Sequence, residues 1–165
     1  FFADWVKKYS PYEPVWPFTE ILSRIDRIFE DGICDEDECT ELKEVMEEIC
    51  GYSEDSEPEK VYPTSLPLDP TPPEVIVFPD QVFNITGKFA FGARKNVMLA
   101  IEERGGDARN STPSKATNYL VIGAFASRDW HATNYGRKIE RAVELREKGT
   151  GLCIISEETW KVHLQ

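Results

Sequence analysis

No stretch of this 165-residue sequence carries 18 or more consecutive apolar residues, so no segment is built to span a bilayer as a helix. Histidine is scarce: His131 and His163 are the only two. The four cysteines, Cys34, Cys39, Cys50 and Cys153, match no zinc spacing and read as reduced, structural thiols of a cytoplasmic protein. No Walker loop is present, no nucleophile is paired with a base, and the basic half has no acidic cluster placed for two metals. These absences predict no catalytic set, no metal and no cofactor, so this chain reads as a non-enzyme. It opens on Phe1-Phe2, without Met or a charged-then-apolar signal, which reads as a piece of something longer.

What is present is uneven. Apolar residues make up 41% of the chain, enough for a real core, and the net charge is −11. Residues 1–80 hold 6 Lys/Arg against 21 Asp/Glu; residues 81–165 hold 13 against 9. The first half repels nucleic acid and the second attracts it, a split that suggests two units with different partners. In the acidic half, Thr19 reads as the cap of a helix with Ile21, Ile25, Ile28 and Phe29 on one face. Asp35 and Glu38 resemble a capping box for a second helix, with Cys39, Leu42, Val45, Met46 and Ile49 aligned and Gly51 at its end. The acidic run DGICDEDE fails as a calcium loop, because its Gly comes directly after Asp31 and the carboxylates follow it.

Residues 52–80 contain seven of the eleven prolines, which block helix and favour an extended linker or strap, with residues 75–78 as its anchor. The expected organisation is therefore an acidic helical hairpin over 1–51, a proline-rich linker over 52–75 and a folded domain over 76–165. Within that domain VFNIT, residues 108–111, NYLVIGAF and LCIIS read as strands. ARKNVMLAIEER reads as a helix with Val97, Met98 and Ile101 inward, and GRKIERAVELREKG as a helix with Ile139, Ala142 and Val143 inward. Ser156 caps a last helix, with Glu157 and Glu158 in its first turn and Trp160 turned to the core. The order β-α-β-β-α-β-α calls for crossover helices and hence a mostly parallel sheet flanked by helices.

One stretch, NITGKFAFGARK, poses a chemical problem. A strand ends on Thr86-Gly87, and Arg94 and Lys95 then open a helix. The helix macrodipole is positive at that end and disfavours cations there. An anion at this spot resolves the conflict. A hydroxyl, a glycine N–H and cations together suit a phosphate dianion, and helix N-termini add to it. The blander readings stand beside it: Thr86 satisfying a strand end, Gly87 supplying a tight turn, Arg94 pairing with a carboxylate. The loop SRDWHATNYG mixes Trp130, His131 and Tyr135 with Arg128 and Arg137. It suits either stacking on unpaired bases or a small cluster covering the sheet end.

Residues 76–164 resemble a BRCT domain. The resemblance is carried by Thr-Gly after the first strand, Gly105-Gly106 after the first helix, the block leading into TNYLV, and Trp160 in the last helix. It is similar in particular to the BRCT domains of bacterial NAD-dependent DNA ligases, of the clamp loader's large subunit, and of modules attached to bacterial DnaQ-like exonucleases. The resemblance implies the βαββαβα fold and a phosphate pocket formed by Thr86, Gly87 and Lys138, with Arg94 added as in the clamp-loader branch. It further implies 5′-phosphorylated DNA ends or nicks as ligand, replication or repair proteins as partners, and a nucleoid-associated location. Lys88, Lys95, Arg128, Trp130 and Arg137 are candidate outlying DNA contacts by their charge and aromatic character, in a chain whose SRDWHATNYG loop departs from the shorter connection of the DNA ligases. The alternative is a scaffold that binds a phosphopeptide or a partner domain. A third arrangement has the acidic hairpin folding back on the basic pocket.

Overall fold

The computed structural model describes residue 16, residues 18–29, positions 36, 39, 40, 42, 43, 46 and 47, and residues 66–125 and 136–164. The chain divides into two compact units, Phe1–Pro58 and Glu59–Gln165. In the first unit, helix α1 spans Phe18–Ile28. Ile21, Ile25 and Ile28 are buried on one stripe, as the spacing predicts. Two expectations for this helix are corrected. Thr19 lies inside the helix rather than at its cap, and the Ser23 hydroxyl donates to its carbonyl at 3.0 Å. Phe29, expected inward, is 43% exposed, because it follows the last helical turn and leaves the stripe. The described positions from 36 to 47 are helical, with Cys39 exposed instead of inward and Leu42 and Met46 half-buried.

The second unit is α/β. Strand β1 (Val82–Thr86) leads to α2 (Arg94–Glu102), then β2 (Asp107–Arg109) and β3 (Tyr119–Ile122). Helix α3 (Arg137–Glu147), β4 (Cys153–Ser156) and α4 (Glu157–Val162) complete it. The four strands form one sheet in the order β2-β1-β3-β4, and all three pairings are parallel. Phe83 faces Ala108 and Tyr119, and Tyr119 faces Cys153.

Alternation along each strand sorts the core into two layers. Phe83, Ile85, Val121 and Ile155 pack with Val97, Ala100 and Ile101 of α2 and Trp160 of α4. Leu120, Ile122 and Ile154 pack on the other face with Ile139, Ala142 and Leu145 of α3. Both crossover helices thus bury the stripes expected of them, with Met98 and Val143 only partly buried. Helix α4 starts on Ser156, whose hydroxyl accepts the Thr159 N–H at 3.2 Å.

The proline-rich segment is part of this unit from residue 66 onward. Leu66 and Leu68 pack on the α3 face, while Ile76 and Phe78 enter the opposite layer. Between them Asp69 meets the outer strand: its N–H donates to Ile154 O at 2.9 Å, and its carboxylate accepts the Ile154 N–H at 2.6 Å. Residues 66–78 therefore wrap the β4 edge and occupy hydrogen-bonding groups that an open edge would present to another chain. Arg146 of α3 clamps the turn, donating to Asp69 at 2.7 Å and to Pro67 O at 3.0 Å. No helix among the described residues is long and apolar enough to cross a membrane.

Candidate phosphate-binding site

The site lies where the connectivity reverses. From β1 the chain passes through α2 to one edge of the sheet, and from β3 through α3 to the other. The carboxyl ends of β1 and β3 are neighbours, with Thr86 opposite Ile122, so both helices begin from one crevice. Ligands of open parallel sheets bind at such a reversal, because it leaves a cleft between two helix starts.

The loops that leave β1 and β3 are zipped together. Lys88 and Phe125 exchange both backbone hydrogen bonds at 3.0 Å, and Gly123 N–H donates to Thr86 O at 2.9 Å. This crossing explains two glycines. Gly87 has φ +88°, and a Cβ there meets Phe125 O at 3.2 Å. At Gly123 a Cβ falls 2.2 Å from Lys88 O, which no side chain tolerates. Turn geometry by itself therefore accounts for Gly87, while Gly123 is a requirement that only the folded chain reveals.

A buried carboxylate holds the same loops from beneath. Glu157, at the start of α4, accepts the N–H groups of Ala90 at 3.1 Å, Phe91 at 2.7 Å and Ala124 at 2.8 Å. The sequence places Glu157 in a helix first turn, where acids are generally favourable; its actual work is to fix the backbone that runs from Gly87 to Arg94.

On this frame the residues of the expected pocket converge. Thr86 is 6% exposed, and none of the described residues hydrogen-bonds its hydroxyl. Among the described residues the one fully buried side-chain polar atom without a partner is Trp160 Nε1, so the Thr86 hydroxyl keeps contact with solvent. Arg94, the first residue of α2, donates to Gly87 O at 3.1 Å and Asn110 Oδ1 at 3.3 Å. Lys138, the second residue of α3, donates to Asn110 Oδ1 and Asn110 O, both at 2.7 Å, and to Ile85 O at 3.3 Å. Arg94 has no carboxylate partner among the described residues. Neither helix has a side-chain cap on its first turn, and α2 has no acid there.

The two cations share one amide oxygen, so their nitrogens lie within about 6 Å of each other. Their repulsion is about 1 kcal/mol in water and about 3 kcal/mol at an effective dielectric of ~20. A dianion between the two reverses the sign of this interaction. Of the outlying residues, Lys88 is half-buried in the zipped loops, and Lys95 and Arg137 are exposed beside Arg94 and Lys138. Arg128 and Trp130 lie outside the described residues.

Asn110 is the member that the sequence does not announce. It follows β2 directly, 24 positions after Thr86 in the chain, and no local pattern ties it to the pocket. Neither a scan against protein-family models nor a search of curated proteins returns a match for this chain.

Proposed function

We propose that residues 59–165 form a BRCT-type module that binds 5′-phosphorylated DNA ends or nicks and recruits a replication or repair activity to them. One observation carries the reading. Arg94 and Lys138, from two different helices, converge on a single point beside Thr86 and Gly87, at the carboxyl ends of the two central strands. Two cations held within about 6 Å of each other, with no carboxylate on Arg94 among the described residues, suit an anion of more than one charge. The strand order and the placement of the crossover helices support the BRCT-type arrangement. In this reading the module is not catalytic; it positions a terminal phosphate, and chemistry belongs to what it recruits.

The test is fluorescence anisotropy of the chain with a recessed-end duplex, with and without a 5′-phosphate, over a salt series. We expect at least about a tenfold preference for the phosphorylated end, equivalent to about 1.4 kcal/mol. Lys138→Ala is expected to abolish that preference while leaving the weak binding of the unphosphorylated duplex in place. Equal losses on both duplexes reduce the site to general charge attraction. A phosphopeptide that competes for the pocket more strongly than the DNA end favours the scaffold reading, to which the acidic first unit lends support because it opposes DNA.

A further inference from the structure

Asn110 lies between the two cations of the candidate pocket. Its Oδ1 accepts from Lys138 Nζ at 2.7 Å and from Arg94 Nη1 at 3.3 Å. Its side chain is exposed, but the backbone beneath it is fastened. Asn84 is buried and donates through Nδ2 to Ser111 O at 2.8 Å and to Ser111 Oγ at 3.4 Å. Asn84 Oδ1 in turn accepts from the buried Thr117 hydroxyl at 2.7 Å, which also accepts the Ser114 N–H at 2.9 Å. A fixed backbone thus presents a rotatable amide to two cations. An amide oxygen carries only a partial charge, so it holds the cations less strongly than an ionised oxygen does.

We propose that the Asn110 side chain is an internal placeholder, which holds Arg94 and Lys138 together and is displaced by a dianionic phosphomonoester. The proposal rests on the phosphate-pocket reading above and adds an internal competitor to it. When the amide swings out, Lys138 keeps the carbonyls of Ile85 and Asn110, and Arg94 keeps that of Gly87. The cations therefore remain in position for the ligand. A terminal phosphomonoester carries about −1.5 to −2 charges at pH 7, whereas a diester carries one. The ligand must outcompete an oxygen already in place, which lowers the affinity of every pocket ligand by the same factor; the preference for the terminal phosphate over the diesters around it comes from the second charge that the two cations meet.

Two substitutions at this position are expected to act with opposite signs. In the full chain, Asn110→Ala removes the competitor and tightens binding of a 5′-phosphorylated recessed duplex by about threefold. Asn110→Asp makes the placeholder a carboxylate, pairs it permanently with both cations, and weakens the same binding by at least about tenfold. A duplex whose 5′-phosphate is capped as its methyl ester, a monoanion, binds the wild type poorly and gains about the same factor from Asn110→Ala. Thermal unfolding followed by circular dichroism checks the fold, and Asn110→Asp is expected to melt at or above the wild type. Equal weakening by both substitutions overturns the placeholder and makes Asn110 a strut or a direct ligand. An Asn110→Asp chain that binds like wild type, or melts well below it, overturns it as well. These outcomes differ from failure of the pocket reading itself, in which the wild type shows no preference for the phosphate and the placeholder falls with it.

Discussion

Gly123 shows how much one residue can matter in a loop that carries no chemistry. It allows the chain after β3 to pass against Lys88, and the resulting backbone pair sets the path from Gly87 to Arg94. Gly123→Ala puts a methyl group 2.2 Å from Lys88 O, so the zipped loops must separate or shift. We expect a loss of about 1–3 kcal/mol and a Tm lower by about 5–15 °C. Circular dichroism melting measures it, and an unchanged Tm shows that the loops do not cross there. At the same scale Cys153 is chemically quiet. Burial, and then the neighbouring Asp69 carboxylate, push its thiol up to about 12, so it stays protonated at physiological pH and is a poor nucleophile. This agrees with reading the cysteine as structural.

Among the elements, the strap over residues 66–78 is the least expected. Proline content marks it as extended, but its attachment depends on Asp69, whose partners Ile154 and Arg146 lie about eighty residues further on. Burial raises the Asp69 carboxyl, but the Ile154 N–H, the Cys153 thiol and Arg146 together outweigh burial and hold it below its ordinary value of 3.8. A carboxyl depressed on folding contributes stability that is present above its unfolded value and is lost as pH falls through its folded one. Asp69→Asn is therefore expected to lower Tm at pH 7, and the gap from wild type is expected to shrink once pH falls below about 3.8. Melting curves from pH 2 to pH 7 test this; a gap that stays constant over the range removes Asp69 from the acid response. The strap also changes where the folded unit starts. A cut at residue 75 discards Leu66, Leu68 and Asp69 and opens the β4 edge, whereas a cut after Pro58 follows the boundary of the compact unit.

For the whole molecule, charge is the dominant long-range property. Phe1–Pro58 carries a net charge of −12 and Glu59–Gln165 a net charge of +1. The first unit thus repels DNA by a field that salt screens within about 10 Å at 0.1 M. Deleting residues 1–58 is expected to tighten binding to a phosphorylated duplex several-fold at ~0.02 M salt and to have little effect above ~0.3 M. Anisotropy titrations at both salts check this. A gain that persists at high salt points to direct obstruction instead of a field.

The sequence by itself determined the elements of the second unit. Period-two apolar runs and period-3.6 stripes are local signals, and so are the Ser156 cap and the cations Arg94 and Lys138 at two helix starts. It also set the charge division. The tertiary structure decided everything that depends on pairing across long separations. Strand order puts the ends of β1 and β3 side by side and so brings Arg94 and Lys138 together. The end of β2 delivers Asn110 between them, Glu157 reaches back to Ala90, Phe91 and Ala124, and Asp69 reaches forward to β4. None of these leaves a trace in local patterning, because an asparagine, a glutamate or a glycine becomes a site residue only through neighbours that the chain supplies from elsewhere.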